Sequence, residues 1–195
     1  MDGSGPFSSI CNAKPRSPRM ARVLLGACGC FDALKFVLLC QEFSKWAKVG
    51  AVVTQASVPI PSGVTLVSKD NAEGYLEWAD IMVIAPLSPE TLGKIAAAHC
   101  DDLLTTIARG WNLSKPFYVA PSMEPFMWRN TIIQSYCASI KRRGVSIIPP
   151  ALEDVEFLER PVKEGQHKNI GGMPEPSEIS YTVRISNEIY WDTPK

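Results

Sequence analysis

The run Ile81-Met82-Val83-Ile84-Ala85 carries no polar side chain from end to end. A strand with one wet face would alternate apolar and polar residues, so this one is covered on both faces, as in the middle of a parallel sheet flanked by helices. The segments around it repeat the theme. Residues 21–25 are apolar and branched, close on Gly26-Ala27-Cys28-Gly29-Cys30, and lead into helical apolar spacing over 32–46, giving strand, turn and helix. Residues 49–54 read as a second strand, and Pro59-Ile60-Pro61-Ser62-Gly63 cannot be a helix interior. A short strand over 64–67 and a brief helix over 73–80 follow. After the central run, Pro86 to Pro89 reads as a turn, with helices over 90–98 and 101–111. A buried strand at 117–120, a helix over 130–143 closed by Gly144, and a last strand at 145–148 complete the series. The alternation predicts an α/β, doubly wound parallel sheet with its sites at the carboxyl ends of the strands.

The chain has 195 residues, enough for one domain with a proper core and too few for two. Its expected limits are 19–190, preceded by a Ser/Pro/Gly-rich disordered tail at 1–18 and followed by a short tail at 191–195. Arg16 in the tail at 1–18 and Arg19 just after it are the features that suit an organellar leader, and no continuous apolar core of a signal peptide is present in the tail. Residues 151–173 turn polar and poorly periodic, as a mobile flap would. Helical spacing resumes through Ile179, Val183 and Ile185, which predicts a closing helix. Lys plus Arg equal Asp plus Glu at 20 each, so no net field favours nucleic acid or an anionic membrane. Arg22, Asp32, Lys35 and Gln41 interrupt the most apolar stretch well short of the roughly 20 residues that span a bilayer. Six cysteines without paired spacing read as reduced thiols in a cytoplasmic protein, or a nuclear one.

Small and hydroxyl-bearing residues collect at three strand ends: Gly26 to Phe31, Thr54 to Ser57, and Ser88 to Thr91. Together they suit one anion pocket, with glycines for close backbone approach, helix N–H groups and hydroxyl donors. Gly26-Ala27-Cys28-Gly29 does not match the full dinucleotide fingerprint, which points to a mononucleotide rather than NAD. The same residues also read as tight turns and helix caps. Cys28 and Cys30 stand where a helix N-terminus would lower a thiol pKa, although buried inert thiols are commoner. His99-Cys100-Asp101 tempts a metal reading, but adjacent helical positions point in different directions.

Longer motifs make a resemblance. Ala79-Asp80-Ile81-Met82-Val83-Ile84-Ala85-Pro86-Leu87-Ser88, followed by Thr91-Leu92-Gly93-Lys94-Ile95-Ala96, resembles the flavin-binding segment of phosphopantothenoylcysteine decarboxylases, especially the plant halotolerance flavoproteins. Pro121-Ser122-Met123-Glu124-Pro125-Phe126-Met127-Trp128 is similar to their Pro-Ala-Met-Asn-x-x-Met-Trp signature, and Arg22-Val23-Leu24-Leu25, Ala51-Val52-Val53-Thr54, Lys115-Pro116 and Glu175-Pro176-Ser177 follow the same order. The resemblance implies a flavodoxin-like, Rossmann-like single domain that binds FMN in a trimer with the flavin at subunit boundaries. It places Gly29, Cys30, Phe31, Thr54, Ser57, Ser88, Thr91, Ser122 and Met123 against the cofactor. Met127 and Trp128 read as packing residues rather than substrate contacts.

The departures fall on the family's reacting groups. Its Ser-Gly-Ser turn is Cys28-Gly29-Cys30 here, exchanging a hydroxyl for a poorer thiol donor. Its base histidine aligns with Ala72, its two substrate-side asparagines with Glu124 and Glu90, and its flap cysteine with Gly165. Loss of base, amide and thiol together implies a catalytically impaired paralogue acting as a subunit or regulator, in a homotrimer or a mixed trimer with related decarboxylase subunits, or beside a phosphatase partner. Two alternatives stand. Glu90 and Glu124 would serve an amine or cationic substrate if burial and mutual repulsion separated their pKa values, or the chain is a true phosphopantothenoylcysteine decarboxylase of coenzyme A biosynthesis. For Glu90 an acid in a first helical turn, favoured by the macrodipole, is the plainer account, and Glu124 would equally suit a solvent-facing pocket rim.

Overall fold

The computed structural model of the protein describes residues 20–29, 35–54, 58–150 and 172–187. The expected tails, most of the expected flap, and Cys30, Phe31, Ser57 and Gly165 lie outside the described residues. Among the described residues, six strands form one sheet: β1 (Ala21–Ala27), β2 (Ala47–Val53), β3 (Thr65–Leu66), β4 (Ile81–Leu87), β5 (Phe117–Pro121) and β6 (Ser146–Ile147). All neighbours are parallel, in the order β3-β2-β1-β4-β5-β6. The chain runs outward from β1 to β3, then crosses back to β4 and runs outward the other way. The reversal lies between β1 and β4, where open sheets of this kind leave a crevice above their carboxyl ends.

Helices cover both faces: α1 (Lys35–Ser44), α2 (Ala72–Trp78), α3 (Pro89–Ala96), α4 (Leu103–Gly110), α5 (Pro125–Trp128), α6 (Thr131–Arg142) and α7 (Pro176–Ser186). Period-two alternation divides the core in two. Val23 and Leu25 of β1 join Ile81 and Val83 of β4 against Phe36, Leu39 and Phe43 of α1 and Ile179 and Val183 of α7. Leu24, Met82, Ile84 and Val119 turn the other way, against Leu92 and Ile95 of α3, Leu104 and Ile107 of α4, and Ile133 and Ile140 of α6. At Gly26 a Cβ would stand 2.5 Å from Leu104 Cδ1, so α4 rests on bare backbone there. Gly144 ends α6 as expected, at φ 93°, in the left-handed region that favours glycine.

Two expectations need correcting. Pro86 is not in a turn: β4 continues through it to Leu87, with a register shift against β5 between Ile84 and Leu87. A proline fits a strand where its nitrogen needs no acceptor, and its carbonyl here accepts the Cys28 N–H at 3.3 Å. Ile185 does not dock α7. It is 44% exposed, because it lies two residues past the Ile179/Val183 stripe and rotates away from it. The short α5 was not anticipated, although Pro125 stands at its start, where proline is favoured.

Two polar clasps explain motif residues that carry no chemistry. Lys115 Nζ donates to the carbonyls of Leu76 and Ala79, both at 2.9 Å, and so closes the C-terminus of α2. Asp80 accepts three bonds from Arg22: Oδ2 from the backbone N–H at 3.0 Å and from Nε at 3.1 Å, Oδ1 from a terminal guanidinium nitrogen at 3.1 Å. The Asp80 N–H returns a bond to the Arg22 carbonyl at 2.8 Å, fixing the entry of β4 beside the start of β1. The Asp80 side chain is 8% exposed, so its removal strands a guanidinium and an amide in a poorly solvated place. Asp80→Ala is expected to lower stability by about 2 kcal/mol, read as a lower urea midpoint with an unchanged slope.

Candidate functional site

Four of the sequence-predicted residues stand side by side just beyond the carboxyl ends of adjacent strands. The register pairs Ala27 with Val53, Gly26 with Ile84 and Leu87 with Pro121, so the order along the edge is Thr54, Gly29, Ser88, Ser122. Backbone bonds extend the sheet into this row: Thr54 N–H to the Ala27 carbonyl at 3.0 Å and Ser122 N–H to the Leu87 carbonyl at 2.9 Å. With strands about 4.8 Å apart, the row spans roughly 15 Å.

The hydroxyls in this row are already bonded, and the direction of those bonds matters. Gly29 N–H donates to Thr54 Oγ1 at 3.2 Å. Ser88 is the N-cap of α3, with Pro89 following. Its Oγ accepts the Thr91 N–H at 3.2 Å and donates to Thr91 Oγ1 at 3.0 Å. The cap reading is therefore correct for Ser88, and the same hydroxyl stands in the row at the carboxyl edge. In each chain of bonds the last oxygen, Thr54 Oγ1 or Thr91 Oγ1, accepts from inside the protein and keeps its own hydrogen to donate. A hydroxyl polarised in this way is a better donor to an anion. The arrangement leaves two hydroxyl hydrogens to donate at this edge, on Thr54 and on Thr91.

Cys28 has a role the sequence did not disclose. Its Sγ donates to the Pro86 carbonyl at 3.2 Å and accepts the Ser88 N–H at 2.9 Å, buried at 2% exposure. The thiol thus joins the ends of β1 and β4 instead of facing a ligand, and no local signal announces a partner about sixty residues away. Cys40 is a buried thiol of the inert kind, its pKa pushed up to about 12 by desolvation. Burial also raises the Cys137 thiol.

The remaining candidates do not gather at the edge as acids and bases. Ser122 is 1% exposed and hydrogen-bonded, and the Met123 side chain is buried in the core with Leu92 and Ile133. Met127 and Trp128 pack against the same core, as expected. Glu90 is exposed in the first turn of α3 and bound to Lys94 Nζ at 2.7 Å, which also meets Asp101 at 3.0 Å. The hydrogen bond to Glu90, and next the one to Asp101, raises the Lys94 pKa, while Lys94 lowers that of Asp101. Glu124 is exposed at the N-cap of α5, where its side chain makes no cap bond and its carbonyl accepts from Met127 and Trp128. Neither glutamate has the burial on which an acid–base pair would depend. Ala72 opens α2 and packs, half-buried, against apolar side chains. His99 is exposed, 3.9 Å from Asp101, and among the described residues no group of His, Cys, Asp and Glu could hold a metal. A cavity of about 710 Å³ lies at the opposite, amino-terminal end of β2, away from this edge. Among the described residues no helix is long and apolar enough to cross a membrane.

Comparison with known proteins agrees with this geometry. The family model described as Flavoprotein matches residues 12–186. Phosphopantothenoylcysteine decarboxylase HAL3a of Glycine max is 44% identical over 191 residues, covering 88% of this chain and 87% of the relative. The phosphopantothenoylcysteine decarboxylase of Arabidopsis thaliana is 40% identical over 196 residues, with 91% and 88% covered. Among solved structures, the FMN binding protein AtHal3 superposes with a TM-score of 0.75 at 38% identity, over 88% of this chain and 98% of that one. A PPC decarboxylase mutant complexed with pantothenoylaminoethenethiol superposes with a TM-score of 0.74 at 38% identity, over 87% and 100%. With a flavodoxin-like sheet, a hydroxyl-lined carboxyl edge and a family match over nearly its whole length, this chain belongs to the Flavoprotein family.

Proposed function

We propose that this protein is an FMN-binding, phosphopantothenoylcysteine decarboxylase-like flavoprotein that is catalytically impaired and acts as a subunit or regulator. The observation that carries the FMN reading is the pair of hydroxyls, Thr54 and the buried Thr91, that accept from Gly29 and Ser88 on either side of the β1/β4 crevice and keep a hydrogen to donate. They would hold the cofactor's phosphate, with Gly29 and Ser88 positioning them from behind. Cys30, Phe31, Ser57 and the backbone of Ser122 and Met123 complete the proposed contacts. When bound, FMN supplies the oxidising capacity for decarboxylation of a cysteine-type substrate.

The impairment rests on what this chain sets around that cofactor. Ala72 offers a methyl group where the resemblance calls for a proton acceptor, and it is packed among apolar side chains. Glu124 puts a carboxylate where an amide would have met the substrate's own carboxylate, and like charges repel far more strongly in a shielded cleft than in water. Gly165 has no thiol to return a proton. Partnership follows from this deficit: a homotrimer, or a mixed trimer in which a related decarboxylase supplies the missing groups, with a phosphatase as a further candidate partner. The free thiols Cys28, Cys40, Cys100 and Cys137 support a reducing compartment, the cytoplasm or nucleus.

Purified protein should carry flavin near-stoichiometrically or take it up on reconstitution. Thr54→Val and Thr91→Val should each weaken FMN about tenfold, the size of one hydrogen bond to a charged group, in a fluorescence-quenching titration. A colourless protein that cannot be reconstituted would remove the reading. Glu124→Asn in the FMN-loaded protein should bind a carboxylate-bearing substrate analogue more tightly and a matched amine more weakly, with the difference shrinking as salt rises. An unchanged charge preference would mean that Glu124 faces solvent in the assembly.

A further inference from the structure

The cavity of about 710 Å³ at the amino-terminal end of β2 lies within the range of roughly 300–1,000 Å³ usual for small-molecule sites. Its floor is the start of β2, left uncovered because β3 pairs only with Gly50 and Ala51. One bank is α2 and the other is the segment around Ser62. Strands rise about 3.3 Å per residue, so β2 holds this groove roughly 20 Å from the carboxyl edge. The two places are chemically separate.

Three features say what the groove accepts. Its aromatic wall is fixed in place. The Tyr75 ring lies over the bare Gly50, where a Cβ would stand 2.6 Å from Cε1, and it meets Trp78 edge-on with centroids 5.1 Å apart. Trp78 is held in turn by the Arg22 guanidinium, 5.7 Å from its centroid, itself clasped by Asp80. The second feature is Gly74, in the first turn of α2 and on the groove wall. A helical glycine costs about 1 kcal/mol relative to alanine, yet nothing lies within 4 Å of where its Cβ would be. No packing neighbour among the described residues requires the missing side chain, whereas a molecule in the groove would. The third is charge. Lys48 lies on the same face of β2 as Gly50, two residues earlier, and so beside Tyr75. It makes no ion pair among the described residues, and no acidic side chain among them lines the groove. The Ser62 and Thr65 hydroxyls and the Asn71 amide add neutral donors.

We propose that this groove binds a small planar anion, its ring seated against Tyr75 and Trp78 and its acidic group on Lys48. A phosphate monoester on a heterocycle and an aromatic carboxylate share that chemistry, so both are needed as probes. Equilibrium dialysis of the full-length protein against AMP, naphthalene-2-carboxylate and neutral adenosine should give saturable binding of at least one anion at one per chain, with adenosine at least about tenfold weaker. Preference for AMP would identify a phosphate monoester, and comparable binding of the two anions a general aromatic-anion site. Lys48→Glu and Gly74→Leu should each weaken the bound anion about tenfold or more, the first by reversing the charge and the second by filling the wall. Gly74→Leu improves helix propensity, and Lys48→Glu changes an exposed residue, so both variants should stay folded by thermal melt. No saturable binding of either anion, or binding unchanged in Lys48→Glu or in Gly74→Leu, overturns the proposal.

Discussion

Four parallel strands ending side by side leave a row of backbone amides with no further ladder to join, and a buried amide without an acceptor costs stability. In this chain the row is closed by a short list of groups. Ser122 N–H finds the Leu87 carbonyl and Thr54 N–H the Ala27 carbonyl, Gly29 N–H takes Thr54 Oγ1, and Ser88 N–H takes the Cys28 thiol. Most amides of the first α3 turn are also satisfied: proline at its first position has no N–H, and the Thr91 N–H takes Ser88 Oγ. Among the described residues, these amides are answered within the protein, and the hydroxyl hydrogens of Thr54 and Thr91 are left to donate. The fold's need to satisfy its own backbone thus determines which atoms remain to hold a ligand.

Much of the fold was legible because its strands are short and their environment extreme. The unbroken apolar run at Ile81 fixed a central parallel strand, and Gly144 and Ser88-Pro89 marked a helix end and a helix start. The errors came from local readings that the three-dimensional arrangement overrides. Pro86 reads as a turn until Cys28, fifty-eight residues earlier, supplies the donor its carbonyl needs. Ile185 looked like core because it is apolar, but its rotation around α7 puts it outside.

The candidate site was legible to a different depth. Hydroxyl residues at strand ends gave its location, since the topology brings those ends together whatever the loops do. The bond directions could not be read from sequence. Nor could the thiol bridge of Cys28, because it depends on two strands meeting at one register. Glu90 shows the reverse case: a substitution at a family position with an apparent chemical meaning turns out to be one half of an i,i+4 ion pair with Lys94.

On the proposed function, the flavin pocket survives here while the groups that act on a substrate do not. This is tested most directly by mixing the FMN-loaded protein with phosphopantothenoylcysteine without oxygen and following the visible absorbance of the oxidised flavin. Decarboxylation to the enethiol must reduce the flavin once per turnover, so even a single event per site is visible. The oxidised spectrum is expected to persist with wild-type protein alone. Rapid loss of that absorbance, with matching release of carbon dioxide, would contradict it and show that residues other than Ala72 and Gly165 move the protons.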